Sequence, residues 1–173
     1  MRDAAILRGI TEAHGIPFIV NDRADVALSV RADGIHLGGD DMPVSSARVR
    51  LGVGRWIGFS VRRLSELEAA GSADYLGVGA IFPTATKSDA EPRGLDLVRS
   101  VRACTHLPLI GIGGITLRNV ASVIEAGCDG VAVISAVLHA EDMEGTVKRF
   151  VEAIRHARAA KSPGQSIRRT QPC

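Results

Sequence analysis

The sequence predicts an α/β protein in which strands of a parallel sheet alternate with covering helices. Six short apolar runs, at 18–22, 34–38, 56–60, 75–81, 109–114 and 130–135, each end abruptly in or beside Gly, Asp, Ser or Thr. A stretch with helical spacing follows each one, and near-continuous apolar strands of this kind suit a sheet buried on both faces. Aromatic residues make up only 3% of the chain, so the core is aliphatic, as in strand-and-helix barrels. In such sheets the polar residues that do chemistry lie at the carboxyl ends of the strands.

The elements follow in order. Apolar positions at Ala5, Ile6, Ile10 and Ala13 predict a helix over 2–14, with Gly15 as its stop. A strand is expected at 17–21, a helix at 24–31 and a second strand at 34–38. Pro43 is tolerated in a first helical turn and opens a helix that runs to Leu51. A third strand spans 56–61 and a helix 64–71. The fourth strand, 75–81, leads into a longer loop at 83–93. Then come a helix at 95–103, strand five at 108–113, a helix at 117–126 closed by Gly127, strand six at 130–135, and a last helix at 142–159. Six strand–helix units with one leading helix fit either an incomplete (β/α)8 barrel or an open doubly wound sheet.

At 173 residues one domain is the default. Residues 1–159 form it, and 160–173 read as a disordered polar tail. Hydrophobic content of 46% with 23% charged residues is that of a soluble globular protein. The net charge of +2 owes much to Lys161, Arg168 and Arg169, so no nucleic-acid surface is implied. No run reaches the ~18 apolar residues of a membrane span, and the N-terminus lacks a signal-peptide core. Cys104, Cys128 and Cys173 are scattered and read as free thiols of a reducing cytoplasm.

Candidate chemistry gathers at the strand ends. Asn21-Asp22 follows strand one, and Gly38-Gly39-Asp40-Asp41 follows strand two. Each alone is explained by a turn or a helix cap. Together, Asp22 with Asp40 and Asp41 offers hard oxygen ligands from adjacent strands, the set Mg²⁺ uses alongside substrate phosphates. Ser60 closes strand three, either donating to an anion or capping the next helix. The loop Phe82-Pro-Thr-Ala-Thr-Lys-Ser-Asp89 brings hydroxyls and a cation suited to phosphate oxygens. Gly111-Ile-Gly-Gly114, with Thr116 opening the next helix, and Ile134-Ser135 end strands five and six, where barrels often hold phosphate. His36 lies inside a strand and reads as a satisfied core histidine. The residues alone therefore predict a phosphate-handling site that uses Mg²⁺.

The ordered segments FIVNDR, ADGIHLGGDDMP, IGFSV, DYLGVGAIFPTATKSD, GIGGI and DGVAVISAV resemble the thiamine-phosphate synthase family over about residues 5–155. That resemblance favours the (β/α)8 barrel. It implies a cytoplasmic transferase that joins a hydroxymethylpyrimidine diphosphate to a thiazole phosphate, releasing pyrophosphate. Its partners would be those small phosphorylated substrates, with Mg²⁺ as cofactor; a homo-oligomer would be one way to cover the strand edges that flank the missing first strands. By the same resemblance, Asn21 contacts the pyrimidine, and Asp22 and Asp41 hold Mg²⁺. Ser60 and Lys87 are the catalytic residues that bind the diphosphate, and Thr84, Thr86, Gly114, Ile134 and Ser135 hold the thiazole phosphate.

The chain departs from the family's pattern in several places. Gly39 stands where the family has Gln, Arg62 where it has His, and Ala80 where it has Pro. The family's first two barrel strands, with their Gln-x-Arg-x-Lys grip on the diphosphate, have no counterpart here, so a shortened barrel is expected. A non-catalytic member that binds a thiazole phosphate or a partner chain is the alternative. A thiazole tautomerase is less well matched, since its His is absent at Ala80.

Overall fold

A computed structural model describes residues 1–84 and 91–160. The elements are α1 (Arg2–Ala13), β1 (Ile19–Asn21), α2 (Ala24–Ser29), β2 (Gly34–Leu37), α3 (Val44–Leu51), β3 (Trp56–Val61), β4 (Tyr75–Val78), α4 (Gly94–Cys104), β5 (Leu109–Ile112), α5 (Val120–Ala126), β6 (Gly130–Ala132), α6 (Ser135–Leu138) and α7 (Met143–Ala160). The strand order is the chain order, β1 to β6. That is the sequential winding of a barrel; a doubly wound sheet reverses its order at a switch point. The chain falls into two units, Met1–Val61 with Ser65–Leu76, and Arg62–Leu64 with the residues from Gly77 onward.

In the first unit β1, β2 and β3 are parallel, with the register Val20↔Ile35↔Ile57 and Asn21↔His36↔Gly58. Ile35, Leu37, Ile57 and Val61 are fully buried, as are Ala27 of α2 and Ala47 of α3. In the second unit β5 and β6 are parallel, and Leu109, Val98, Val101, Val120, Val123 and Ile124 form the core. Truncating one of the buried Leu or Ile residues to Ala costs about 2–5 kcal/mol. Helix α1 forms as expected but buries no residue, and Ile6 and Ile10 are each 53% exposed.

Three aspartates at the start of β2, β4 and β6 repeat one device. The Asp33 carboxylate accepts the Phe18 N–H at 2.7 Å, while the Asp33 N–H donates to the Phe18 carbonyl at 2.9 Å. Asp74 does the same with Ile57, at 2.7 Å each way, and Asp129 with Leu109, at 2.8 and 2.7 Å. Each carboxylate also receives a guanidinium from a preceding helix: Arg8 of α1 at 2.6 Å, Arg48 of α3 at 2.6 Å and Arg102 of α4 at 3.1 Å. The aspartate thereby satisfies a strand-start N–H that has no ladder partner and ties the helix to it.

The Phe18 N–H, and after it the Arg8 charge, holds the Asp33 carboxyl below the ordinary carboxylate range. A depressed folded pKa contributes stability above the unfolded value of about 4, lost as pH falls through the folded pKa. Asp33→Asn is therefore expected to be less stable at neutral pH and to lose less on acidification. Urea midpoints from about pH 6 to about pH 2.5 check both.

Several sequence expectations are corrected. The stretch 64–71 is not an α-helix but two 3-10 turns, Leu64–Glu66 and Glu68–Ala70. Ala70 is its sole buried side chain, too little burial to offset helix nucleation. The fourth strand ends at Val78 instead of 81, although Ile81 and Phe82 still donate to Ile112 and Gly113. The helix expected from 117 begins at Val120, because 116–119 is a turn held by Asn119. Strand six ends at Ala132, and Ser135 opens α6 instead of ending the strand. Cys128 is a buried free thiol, as expected. Among the described residues no helix is long and apolar enough to cross a membrane. The expected tail lies outside the described residues beyond Ala160.

Candidate active site

The first unit gathers its candidate residues around His36. Its neighbours Ile35 and Leu37 are fully buried, so the strand's alternation turns the imidazole to the opposite face. The ring is half-buried and bonded at both nitrogens: Nε2 to the Ser60 hydroxyl at 2.9 Å, and Nδ1 to the Tyr75 hydroxyl at 3.1 Å. The reading of His36 as a satisfied histidine thus holds, but its partner is a candidate site residue. A Cβ on Gly58 would collide with both the Tyr75 ring and the imidazole, so the missing side chain opens the slot that holds this pair. Burial, and secondarily the Asp74 charge, pushes the Tyr75 hydroxyl up to about 12, so it remains a proton donor at neutral pH.

Asn21 is the last residue of β1 and lies in register with His36. Asp22 follows it with φ of 63°, and its N–H donates to the His36 carbonyl at 2.8 Å. Asp and Asn tolerate this left-handed backbone better than most residues. The N-cap of α2 is Arg23, one residue beyond Asp22. Asn21 and Asp22 thus meet His36 through its backbone, and Ser60 through its imidazole. Asp41 closes the turn after β2, its Oδ2 accepting the Gly38 N–H at 2.7 Å. It does not cap α3, which has Pro43 at its N-cap and no side-chain cap bond. Asp40 is exposed in the same turn.

The second unit brings Gly114 against the loop after β4. Gly114 has φ of 61°, and a Cβ there would meet the Pro83 carbonyl and the Phe82 side chain, so only glycine fits. The Phe82 N–H donates to the Gly113 carbonyl at 3.1 Å and fixes the loop that continues to Thr84. Asn119, which the sequence analysis did not single out, holds the turn: its Nδ2 donates to the Gly114 carbonyl at 3.1 Å and its Oδ1 accepts the Thr116 N–H at 2.8 Å. Ile112 and Ala132 are register partners, so Gly114 and Ile134 each lie two residues beyond the same rung. Ile134 and Ser135 are exposed there at the start of α6. Thr86 and Lys87 lie outside the described residues.

Among the described residues no group of three or more His, Cys, Asp or Glu is placed to hold a metal. Asp22 and Asp41 still supply carboxylate oxygens of the kind Mg²⁺ takes one or two at a time, completing its shell with substrate phosphates and water. Two such carboxylates suit an ion that takes its other ligands from outside the protein.

Comparison with known proteins converges on one family. The family model for thiamine monophosphate synthase matches residues 1–137. A thiamine-phosphate synthase of Natronomonas pharaonis is 50% identical over 155 residues, covering 86% of this chain and 72% of its own length. One from Methanospirillum hungatei is 47% identical over 154 residues, covering 87% and 75%. The solved thiamine phosphate pyrophosphorylase of Pyrococcus furiosus superposes with a TM-score of 0.81 at 39% identity, covering 90% of this chain and 76% of its own. The chain belongs to the thiamine monophosphate synthase family, whose function is that of a thiamine-phosphate synthase.

Proposed function

We propose that this chain joins a hydroxymethylpyrimidine diphosphate to a thiazole phosphate in a Mg²⁺-dependent transfer, giving thiamine phosphate and pyrophosphate. The observation that carries the reading is the assembly of Asn21, Asp22 and Ser60 about His36 in the first unit. An alkyl diphosphate leaves as an anion, so the residues serve to position it and stabilise its charge, with little acid–base work. In this reading Asn21 orients the pyrimidine. The Ser60 hydroxyl donates to a diphosphate oxygen, and Lys87 follows the charge as it departs. Asp22 and Asp41 hold Mg²⁺, which when bound neutralises the developing pyrophosphate charge.

The second unit supplies the acceptor's phosphate ligands. Thr84 and Thr86 donate hydroxyls, and Gly114 and Ile134-Ser135 offer backbone N–H groups. The glycine turn suits that task because no Cβ stands in front of its N–H. Cytoplasmic placement and self-association belong to the same proposal.

The test is product formation from both substrates with Mg²⁺, read as thiamine phosphate and pyrophosphate together. A chelator is expected to abolish both, and added Mg²⁺ to restore them. Absence of product from folded, Mg²⁺-saturated protein would overturn the synthase activity while leaving the family assignment in place.

A further inference from the structure

We propose that His36 is a positioning residue that, with its tautomer set by Tyr75, fixes the Ser60 hydroxyl so that its proton points away from the imidazole and toward an anionic ligand. The inference rests on the reading of Ser60 as a diphosphate-binding hydroxyl.

The argument is one of donors and acceptors. A neutral imidazole has one N–H and one bare nitrogen, and the bond made by one nitrogen decides what the other can do. Both ring nitrogens of His36 are engaged by hydroxyls, Tyr75 at Nδ1 and Ser60 at Nε2. If Tyr75 donates to Nδ1, then Nε2–H donates to Ser60 Oγ. The Ser60 proton is then free to be given elsewhere. In the other tautomer Ser60 spends its proton on Nε2 and turns only lone pairs outward, which repels phosphate oxygens.

Two observations favour the first arrangement. Tyr75 is packed beside His36, ring centroids 5.5 Å apart, and its phenol is a stronger donor and a poorer acceptor than the aliphatic Ser60 hydroxyl on the other ring nitrogen. Gly58, in register with His36, leaves the space in which the Tyr75 ring and hydroxyl approach the imidazole. The ligand acts in the same direction: at neutral pH a diphosphate offers chiefly acceptor oxygens, so it binds best to the tautomer that frees the Ser60 proton. The geometry therefore prepares Ser60 before the ligand arrives, which is the preorganisation that makes a hydroxyl effective at a developing anion.

The test combines kinetics with a direct readout of the tautomer. Ser60→Ala is expected to lower kcat/KM by about 10²-fold or more, the effect of losing one preorganised donor. His36→Phe is expected to lose most of that factor, and the Ser60→Ala/His36→Phe double variant to be no worse than Ser60→Ala alone. His36→Gln, whose amide nitrogen falls near the place of Nε2, is expected to recover about tenfold of the loss.

Nitrogen-15 NMR of the imidazole, assigned by its disappearance in His36→Gln, is expected to show Nε2–H with Nδ1 bare, and to lose that preference in Tyr75→Phe. Wild-type kcat/KM in His36→Phe would overturn the proposal, as would a His36→Phe loss that adds in full to that of Ser60→Ala. So would an Nδ1–H tautomer, or a tautomer indifferent to Tyr75. Unchanged activity in Ser60→Ala would instead sink the diphosphate reading of Ser60, and the NMR, which needs no turnover, would still decide the tautomer.

Discussion

Asp22→Asn is expected to lower kcat/KM for thiamine phosphate formation by about 10²-fold or more, a loss of roughly 3 kcal/mol of transition-state stabilisation. The substitution isolates charge from shape. Asp22 occupies a left-handed backbone at φ 63°, which Asn also tolerates, so the turn after β1 and its N–H bond to the His36 carbonyl survive. What is removed is one anionic oxygen, the one that the proposed function assigns to Mg²⁺. The loss is expected to shrink as Mg²⁺ is raised, and the thermal midpoint to stay near that of the wild type. Kinetics over a Mg²⁺ series checks this. A loss with a matching fall in thermal midpoint would assign Asp22 to the fold instead.

Gly58→Ala is expected to destabilise the protein by roughly 1–3 kcal/mol and to cut activity by more than the stability loss explains. Gly58 is buried in β3, and its new Cβ would collide with the Tyr75 ring and the His36 imidazole at once. Neither ring can yield without losing a hydrogen bond. The Tyr75–His36 or the His36–Ser60 bond breaks, and a half-buried polar group is left poorly paired. Urea denaturation measures the first effect. Activity at a temperature where the variant is fully folded measures the second. A variant as stable as the wild type would show that the slot beside Gly58 is loose.

Much of the site was legible because strand ends announce themselves. An apolar run that stops at Asp22 or Ser60 marks a strand's carboxyl end, and Gly114 marks a turn that a side chain would obstruct. His36 was legible as a satisfied strand histidine, yet its partners were not. Ser60 and Tyr75 are 24 and 39 residues away, and only the folded chain shows that they meet at one imidazole. The threefold aspartate device left a local trace, a small buried residue and Asp before β2, β4 and β6: Ala32-Asp33, Ala73-Asp74 and Cys128-Asp129. Its purpose is invisible without the strand-start N–H groups it satisfies. Asn119 is a similar case: it stands at the N-cap of α5, but its side chain turns back to tie the Gly114 turn.

By itself the sequence determined the alternation of strand and helix, the aliphatic core and the placement of acids, hydroxyls and glycines at strand ends. Those follow from hydrophobic period and from backbone chemistry, both local to a few residues. Tertiary structure alone decided the early stop of β6 and the short 3-10 turns after β3. It alone also decided which groups share the His36 imidazole. These depend on burial and hydrogen-bond partners distant in sequence, where the free energy of a contact is set by what the rest of the chain brings to it.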